Sequence, residues 1–248
     1  MLKVIINGYS GAMGKVLTKC VMEDNELELV CASSKDSLDG VPFKTYSKMS
    51  DIEENANVII DFSHHSAIND VLDYSTKTKT PLVIATTGFN YEELEKIQDA
   101  STIIPIFHSS NMSLGVNVLV KLVKEAAESL NGFDIEIIEK HHNKKLDSPS
   151  GTAVMIANGV KEVLDDSEFI YGRHGRSEKR NSNEVGIHAI RGGTIVGEHT
   201  TIFAGHDEIV EIKHTAQSKD IFAKGAITAA KFLVNKEAGY YNMNDILQ

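Results

Sequence analysis

The chain has 248 residues, 42% hydrophobic and 24% charged, ordinary values for a globular protein and enough length for one large domain or two modest ones. A formal net charge of −10 argues against a general nucleic-acid or membrane-surface binder. No apolar run approaches the ~20 residues that span a bilayer, and no leader is recognisable. The expectation is a cytoplasmic protein with Cys20 and Cys31 as reduced, buried thiols, the alternative being a disulfide.

The chain opens as strand (2–6), glycine-rich turn (8–14) and helix (15–22), followed by a strand at 27–32. Three more short apolar strands are predicted at 58–62, 81–85 and 103–107, with helices at 67–77 and 91–100 between them. Continuous apolar strands alternating with helices indicate a parallel sheet covered on both faces. Polar residues cluster just after the strands, at the carboxyl ends where such sheets bind ligands.

The pattern then changes. An amphipathic helix is predicted at 117–130, an alternating strand at 133–139 and a helix at 150–164. Alternating runs at 185–190, 194–203 and 208–215, with Gly205, His206 and Asp207 as a hairpin turn, suggest an α+β half with a mixed or antiparallel sheet. The polar stretch 166–183 reads as a long mobile loop. A last helix at 221–234, with Ala223, Ala226, Ala229 and Ala230 on one face, is expected to pack back on the first sheet. The predicted fold is therefore α/β: a Rossmann-like parallel sheet from 1–112 and 218–248, and an α+β domain with a mixed sheet from 113–217.

Gly8, Gly11 and Gly14 fall between strand and helix, where glycines allow the tight turn, approach of a pyrophosphate and close helix packing. The helix N-terminus adds N–H groups and partial positive charge. Dinucleotide binding is the expectation, a purely structural turn the alternative. After the second strand, where an acid would bind a ribose 2′-OH, stand Ser33, Ser34 and Lys35, with Asp36 the nearest acid. Two hydroxyls and a cation suit a 2′-phosphate, so NADPH should serve at least as well as NADH. A merely solvated Lys35 is the alternative.

His141, His142, Lys144 and Lys145, with Lys140 beside them, form the densest cationic patch in an acidic chain. They are expected to follow a strand and precede a helix capped by Ser150, with Gly151 and Thr152 in its first turn. Such a helix N-terminus facing lysine and histidine suits a carboxylate, and an imidazole there can supply a proton near neutral pH. A metal site is disfavoured because no Cys or Glu at metal spacing accompanies the histidines; the bland alternative is a solvated basic loop. His64 and His65 suit either the cofactor cleft or a surface loop. His199 and His214 read as hydrogen-bonded sheet histidines, and His206 as part of a turn.

The run from Glu139 to Thr152, with the pattern Glu-x-His-His-x-x-Lys-x-Asp-x-Pro-Ser-Gly-Thr, resembles the 4-hydroxy-tetrahydrodipicolinate reductase (dihydrodipicolinate reductase) family of lysine and diaminopimelate biosynthesis. So do the 8–14 turn, Ala85-Thr86-Thr87-Gly88, the 110–117 stretch and Gly197-Glu198-His199-Thr200. The resemblance implies an NADPH- and/or NADH-dependent reductase of a small cyclic dicarboxylate, with His141 as the acid–base residue and Lys145 as a second proton donor. It places His142, Lys145, Ser150, Gly151 and Thr152 on the substrate carboxylates. It lays the cofactor along Gly8, Tyr9, Ser10, Gly11, Ala12 and Met13, past Ser34 and Lys35, with the nicotinamide near Ala85, Thr86, Thr87, Ser109, Ser110, Asn111 and Met112. It also implies a homotetramer assembled through the second sheet.

Two departures stand out. Ser34 replaces the acid that many members carry, and Met112 stands where many have Phe. Closure of the two domains is expected, with hinges near 110–113 and 217–219. An aspartate-semialdehyde-dehydrogenase reading fails for want of a well-placed nucleophilic cysteine. A non-catalytic dinucleotide sensor would keep the glycine turn but has no use for the His-His-Lys cluster.

Overall fold

The apolar runs of the first half become strands buried on both faces: Val4, Ile5, Ile6, Val58, Ile59 and Ile60 retain no exposed surface. The computed structural model describes residues 1–36, 40–176 and 179–248. Its first elements are β1 (Leu2–Asn7), α1 (Ala12–Glu23), β2 (Leu27–Ser33), β3 (Thr45–Tyr46), β4 (Val58–Asp61), α2 (Ile68–Thr78), β5 (Leu82–Ile84), α3 (Tyr91–Ser101) and β6 (Pro105–His108). All their strand pairings are parallel. β1 pairs with β2 on one side and β4 on the other, so strand order reverses beside β1, the place where such sheets bind ligands.

Gly8 has φ +84°, and a Cβ there would lie 2.6 Å from the Phe62 carbonyl oxygen. A Cβ on Gly14 would overlap the Gly8 carbonyl, so α1 rests directly on the turn that starts it. This contact begins the helix at Ala12, three residues before the hydrophobic pattern predicts.

The second half forms α4 (Leu114–Ser129), β7 (Asp134–His141), α5 (Gly151–Val163), β8 (Glu168–Tyr171), β9 (Glu184–Arg191), β10 (Gly197–Ala204) and β11 (Ile209–Ala216). The sheet order is β11-β10-β7-β9-β8, with β10 antiparallel to both neighbours and the β7–β9 and β8–β9 pairs parallel. The mixed α+β sheet expected from the alternation is therefore present. Ile135, Ile137, Val185, Ile187 and Phe203 point to one face and form a core with residues of α4 and α5.

Two corrections arise here. β7 runs two residues further than predicted, so Lys140 and His141 lie on the strand itself. The 166–183 stretch is not a free loop: β8 adds an edge strand to the sheet, and Arg173 and Arg180 anchor the chain between β8 and β9. Arg173 binds Glu184 and Glu136, while Arg180 binds Asp134, Glu136 and the carbonyls of Ile135 and Glu184. Arginine-rich polarity mimics a loop in sequence, yet these guanidiniums are spent on fixed acceptors. Residues 177 and 178 of this stretch lie outside the described residues.

The chain ends with α6 (Asp220–Leu233), β12 (Gly239–Tyr241) and α7 (Met243–Ile246); β12 extends the first sheet beside β6. Ala223, Ala226, Ala229 and Ala230 are fully buried, and a Cβ on Gly225 would overlap the Met112 carbonyl, which explains the small residues of this face. Two units result, Met1–Ser113 with Lys219–Gln248, and Leu114–Ser218. Among the described residues no helix is long and apolar enough to cross a membrane. Cys20 and Cys31 are buried and free, and burial pushes both thiols up, Cys31 to about 12.

Candidate active site

In the first unit, the residues expected to hold a dinucleotide follow the carboxyl ends of parallel strands and so gather along one sheet edge. Gly8 to Met13 follow β1, Ser34 and Lys35 follow β2, Ala85 to Thr87 follow β5, and Ser109 to Met112 follow β6. The turn is closed by Gly8 N–H donating to the Ser33 carbonyl and Gly11 N–H to the Gly8 carbonyl. Ser10 and Ser34 hydroxyls meet at 2.6 Å, tying the glycine turn to the residue after β2.

Not every side chain there faces out. Tyr9 is buried edge-on against Phe43 with centroids 5.7 Å apart, so this residue offers a ligand its backbone. Met112 is also buried, and Thr86 directs its hydroxyl to Asp61. Lys35, Thr87 and Ser110 are exposed. His65 is held by Glu93 at 2.9 Å, and His64 stacks on it. The turn fits a dinucleotide: glycines line it, α1 begins at it, and Ser34 puts no carboxylate after β2.

In the second unit the site is built around Glu139, which has no exposed surface. Strand alternation puts Glu139 and His141 on the same face of β7, while register sets His199 of β10 opposite Glu139 and Arg191 of β9 opposite His141. Arg191 grips Glu139 with two parallel hydrogen bonds of 2.7 and 2.8 Å. The Ser150 N–H donates to the same carboxylate at 2.9 Å, and His141 Nδ1 lies 2.7 Å from Glu139 Oε2. Burial works to raise the Glu139 carboxyl, but Arg191, His141 and the Ser150 N–H outweigh it and hold the group below its usual range. An ionised Glu139 can only accept, so the proton on Nδ1 belongs to His141 and Nε2 is the nitrogen left to exchange protons.

Ser150 caps α5, accepting from the Ala153 N–H, and its hydroxyl meets His199 Nε2 at 2.9 Å. The His141 and His199 rings lie edge to face, 5.2 Å apart. Burial, followed by the charge of His141, pushes the His199 pKa down to about 4, so this imidazole is neutral. Lys145 Nζ is paired with Asp147 at 2.8 Å, which lowers the Asp147 carboxyl. His142 Nδ1 is buried and has no hydrogen-bond partner among the described residues. Gly151 is exposed and Thr152 half-buried at the start of α5.

The structure thus brings His141, His142, Lys145 and the α5 N-terminus to one end of β7. It adds three residues that residue types alone leave without a role. Glu139 and Arg191 orient the imidazole, and His199 joins that imidazole to the helix cap. By its alternating strand pattern His199 is an ordinary sheet histidine; the signal for more is its place in the Gly197-Glu198-His199-Thr200 motif. Among the described residues no group of three or more His, Cys, Asp or Glu side chains is gathered as a metal ion would require.

A parallel sheet with a glycine turn at its switch point, and a second unit in which a buried Glu139–Arg191 pair fixes an imidazole beside a helix N-terminus, are features of a dinucleotide-dependent oxidoreductase. The family models for the N-terminal and C-terminal parts of dihydrodipicolinate reductase match residues 2–112 and 115–247. The chain belongs to the dihydrodipicolinate reductase family. It is 51% identical over 249 residues to the 4-hydroxy-tetrahydrodipicolinate reductase of Caldanaerobacter subterraneus subsp. tengcongensis, covering 100% of this chain and 99% of that one. The enzyme of the same name from Clostridium tetani is 46% identical, with 100% and 97% covered. A solved dipicolinate-bound dihydrodipicolinate reductase from Paenisporosarcina sp. TG-14 shares the fold, with a TM-score of 0.82 at 22% identity over 98% of this chain and 99% of that one.

Proposed function

We propose that this chain reduces 4-hydroxy-tetrahydrodipicolinate to tetrahydrodipicolinate with NADPH or NADH in lysine and diaminopimelate biosynthesis. The observation that carries the reading is the Arg191–Glu139–His141 chain, in which a buried carboxylate that also accepts from the Ser150 N–H of the α5 cap fixes the His141 ring by its Nδ1. Water leaves first, made from the 4-hydroxyl and a proton of the neighbouring ring carbon, and the conjugated imine that remains takes up a hydride and then a proton on that carbon. The bound nicotinamide supplies the hydride.

The chain supplies the proton and the grip. His141 gives a proton from Nε2 to the ring carbon left electron-rich by reduction, and Lys145 acts as a second donor. His142, Lys145, Ser150 and the Gly151–Thr152 backbone hold the two carboxylates, with the α5 dipole adding attraction. Lys145 is held meanwhile by Asp147, which a substrate carboxylate would displace. In the first unit, residues 8–13, 34–35, 85–87 and 109–112 hold the cofactor. Ser34 and Lys35 favour NADPH at least as much as NADH.

The second sheet also supports a homotetramer. Its covered face carries Ile135 and Ile137, whereas Ile138, Ile190, Ile202 and Ile209 alternate to the other side and keep exposed surface, 66% of it for Ile209. Light scattering that found a monomer at working concentration would remove the tetramer. The two free, buried thiols suit the cytoplasm.

Loss of dihydronicotinamide absorbance with freshly generated substrate tests the activity. His141→Ala should lower kcat by about 10²-fold or more with cofactor affinity retained. Tight nucleotide binding without turnover in the unaltered protein would favour a sensor, and an unchanged kcat in the variant would remove His141 from the mechanism.

A further inference from the structure

Beneath the cofactor-facing edge of the first sheet lies a buried polar chain that the mechanism above does not use. Register places Ser33, Asn7 and Asp61 side by side on β2, β1 and β4. The Ser33 hydroxyl donates to Asn7 Oδ1 at 2.6 Å, and Asn7 Nδ2 donates to Asp61 Oδ1 at 2.7 Å. From the other side the Thr86 hydroxyl donates to Asp61 Oδ2 at 2.7 Å, and the Ser63 N–H reaches Oδ1 at 3.3 Å. All four side chains are at most 5% exposed.

Every one of these hydrogen bonds runs toward Asp61, which is asked to accept and never to donate. Its partners are neutral donors, and burial pushes its carboxyl up against their pull. Burying such a group is costly, and an apolar residue would fill the place more cheaply. What the carboxylate gives in return is geometry. Asn7 immediately precedes the Gly8 turn, Ser33 immediately precedes Ser34 and Lys35, and Thr86 is the centre of the 85–87 segment.

We infer that Asp61 is a positioning residue which sets the three cofactor-binding segments after β1, β2 and β5 in register with one another. It touches no ligand itself, since its side chain is closed off by Asn7, Ser63 and Thr86. A dinucleotide spans all three segments, so a relative shift of a few tenths of an ångström weakens it. A fragment that touches only the segments after β1 and β2 does not depend on where the 85–87 segment stands and loses little. The inference rests on the cofactor reading above.

Asp61→Asn separates the two cases, because the amide keeps the shape of the carboxyl. Its nitrogen cannot accept from Thr86, whose hydroxyl must turn to the Ser63 carbonyl 3.2 Å away, so the β5 arm is loosened while Oδ1 still accepts from Asn7. Binding of NADPH and of adenosine 2′,5′-bisphosphate would be measured by titration calorimetry on the intact protein, with circular dichroism as the check on folding. The expected result is a Kd for NADPH raised about tenfold and a Kd for the fragment changed by less than about twofold. Equal weakening of both ligands, or no weakening of either in the folded variant, overturns the inference.

Should Asp61→Asn fail to fold, Thr86→Val removes a single arm and must show the same split. Failure of the unaltered protein to bind NADPH at all would instead overturn the cofactor reading.

Discussion

Gly197 stands against the outer nitrogen of His141: a Cβ on Gly197 would lie 3.0 Å from Nε2 and 3.4 Å from Cδ2. The imidazole cannot step aside, because Nδ1 is tied to Glu139, itself clamped by Arg191. Gly197→Ala should therefore crowd Nε2, the nitrogen proposed to exchange protons, and leave the rest of the unit as it is. A kcat reduced about tenfold or more is expected, with the melting temperature and the NADPH Kd nearly unchanged. Steady-state kinetics beside a thermal melt decide it, and a kcat equal to the parent's would show that Nε2 needs no open approach.

Glu139→Gln tests the orienting carboxylate. Arg191, His141 Nδ1 and the Ser150 N–H all donate to Glu139, so an amide nitrogen placed there must face a donor whichever way it turns. The variant also leaves the Arg191 charge without its partner. A stability loss of about 2 kcal/mol is expected in chemical denaturation. The imidazole is freed to take the wrong tautomer, so kcat should fall by about tenfold or more. A variant with parental stability and kcat would show that the dyad neither holds the site nor serves it.

Much of this was legible from residue types. The alternation of short apolar strands with helices announced a parallel sheet, and Gly8, Gly11 and Gly14 marked its ligand edge. Alanines 223, 226, 229 and 230 announced a helix packed on that sheet, which α6 is. β3, β12 and α7 were not legible, being two to four residues long and too short to carry a period. The site was legible in its donors and not in its supports. Arg191 and His199 meet Glu139 and Ser150 through strand register, across separations of 52 and 49 residues. No local spacing encodes that, and the same is true of the Ser33–Asn7–Asp61–Thr86 chain.

His199 gives the fold an acid sensitivity of predictable sign. Its pKa is about 4 in the folded chain against an ordinary value of 6.5, so between these limits the unfolded chain binds more protons. Stability therefore rises with pH through this window and is lost as pH falls from 6.5 toward 4, by up to about 3 kcal/mol in total. His108 and His214, also lowered by burial, add in the same direction. His199→Gln can keep a hydrogen bond to Ser150 without titrating. Denaturation followed at several pH values should show a shallower slope in the variant, by about 1.4 kcal/mol per pH unit at most. Identical slopes would mean that His199 is not held neutral.

The proposed part of Ser34 and Lys35 in cofactor choice is open to a direct test. Ser34 is half-buried and hydrogen-bonded to Ser10, and Lys35 is exposed; if the dinucleotide lies as proposed, a carboxylate at position 34 would face whatever the ribose carries at its 2′ position. Two unit charges about 4 Å apart repel by about 1 kcal/mol even in water, and a 2′-phosphate carries more than one. Ser34→Asp should therefore lower the ratio of kcat/KM for NADPH to that for NADH by about tenfold, partly by repelling phosphate and partly by accepting from a 2′-OH. Lys35→Ala should move the ratio the same way by a smaller factor, and more so at low ionic strength, because an exposed cation acts through a screened field. If the unaltered chain already shows a kcat/KM for NADH about tenfold above that for NADPH, the 2′-phosphate reading is wrong, and Lys35 is a solvated lysine with no part in the choice.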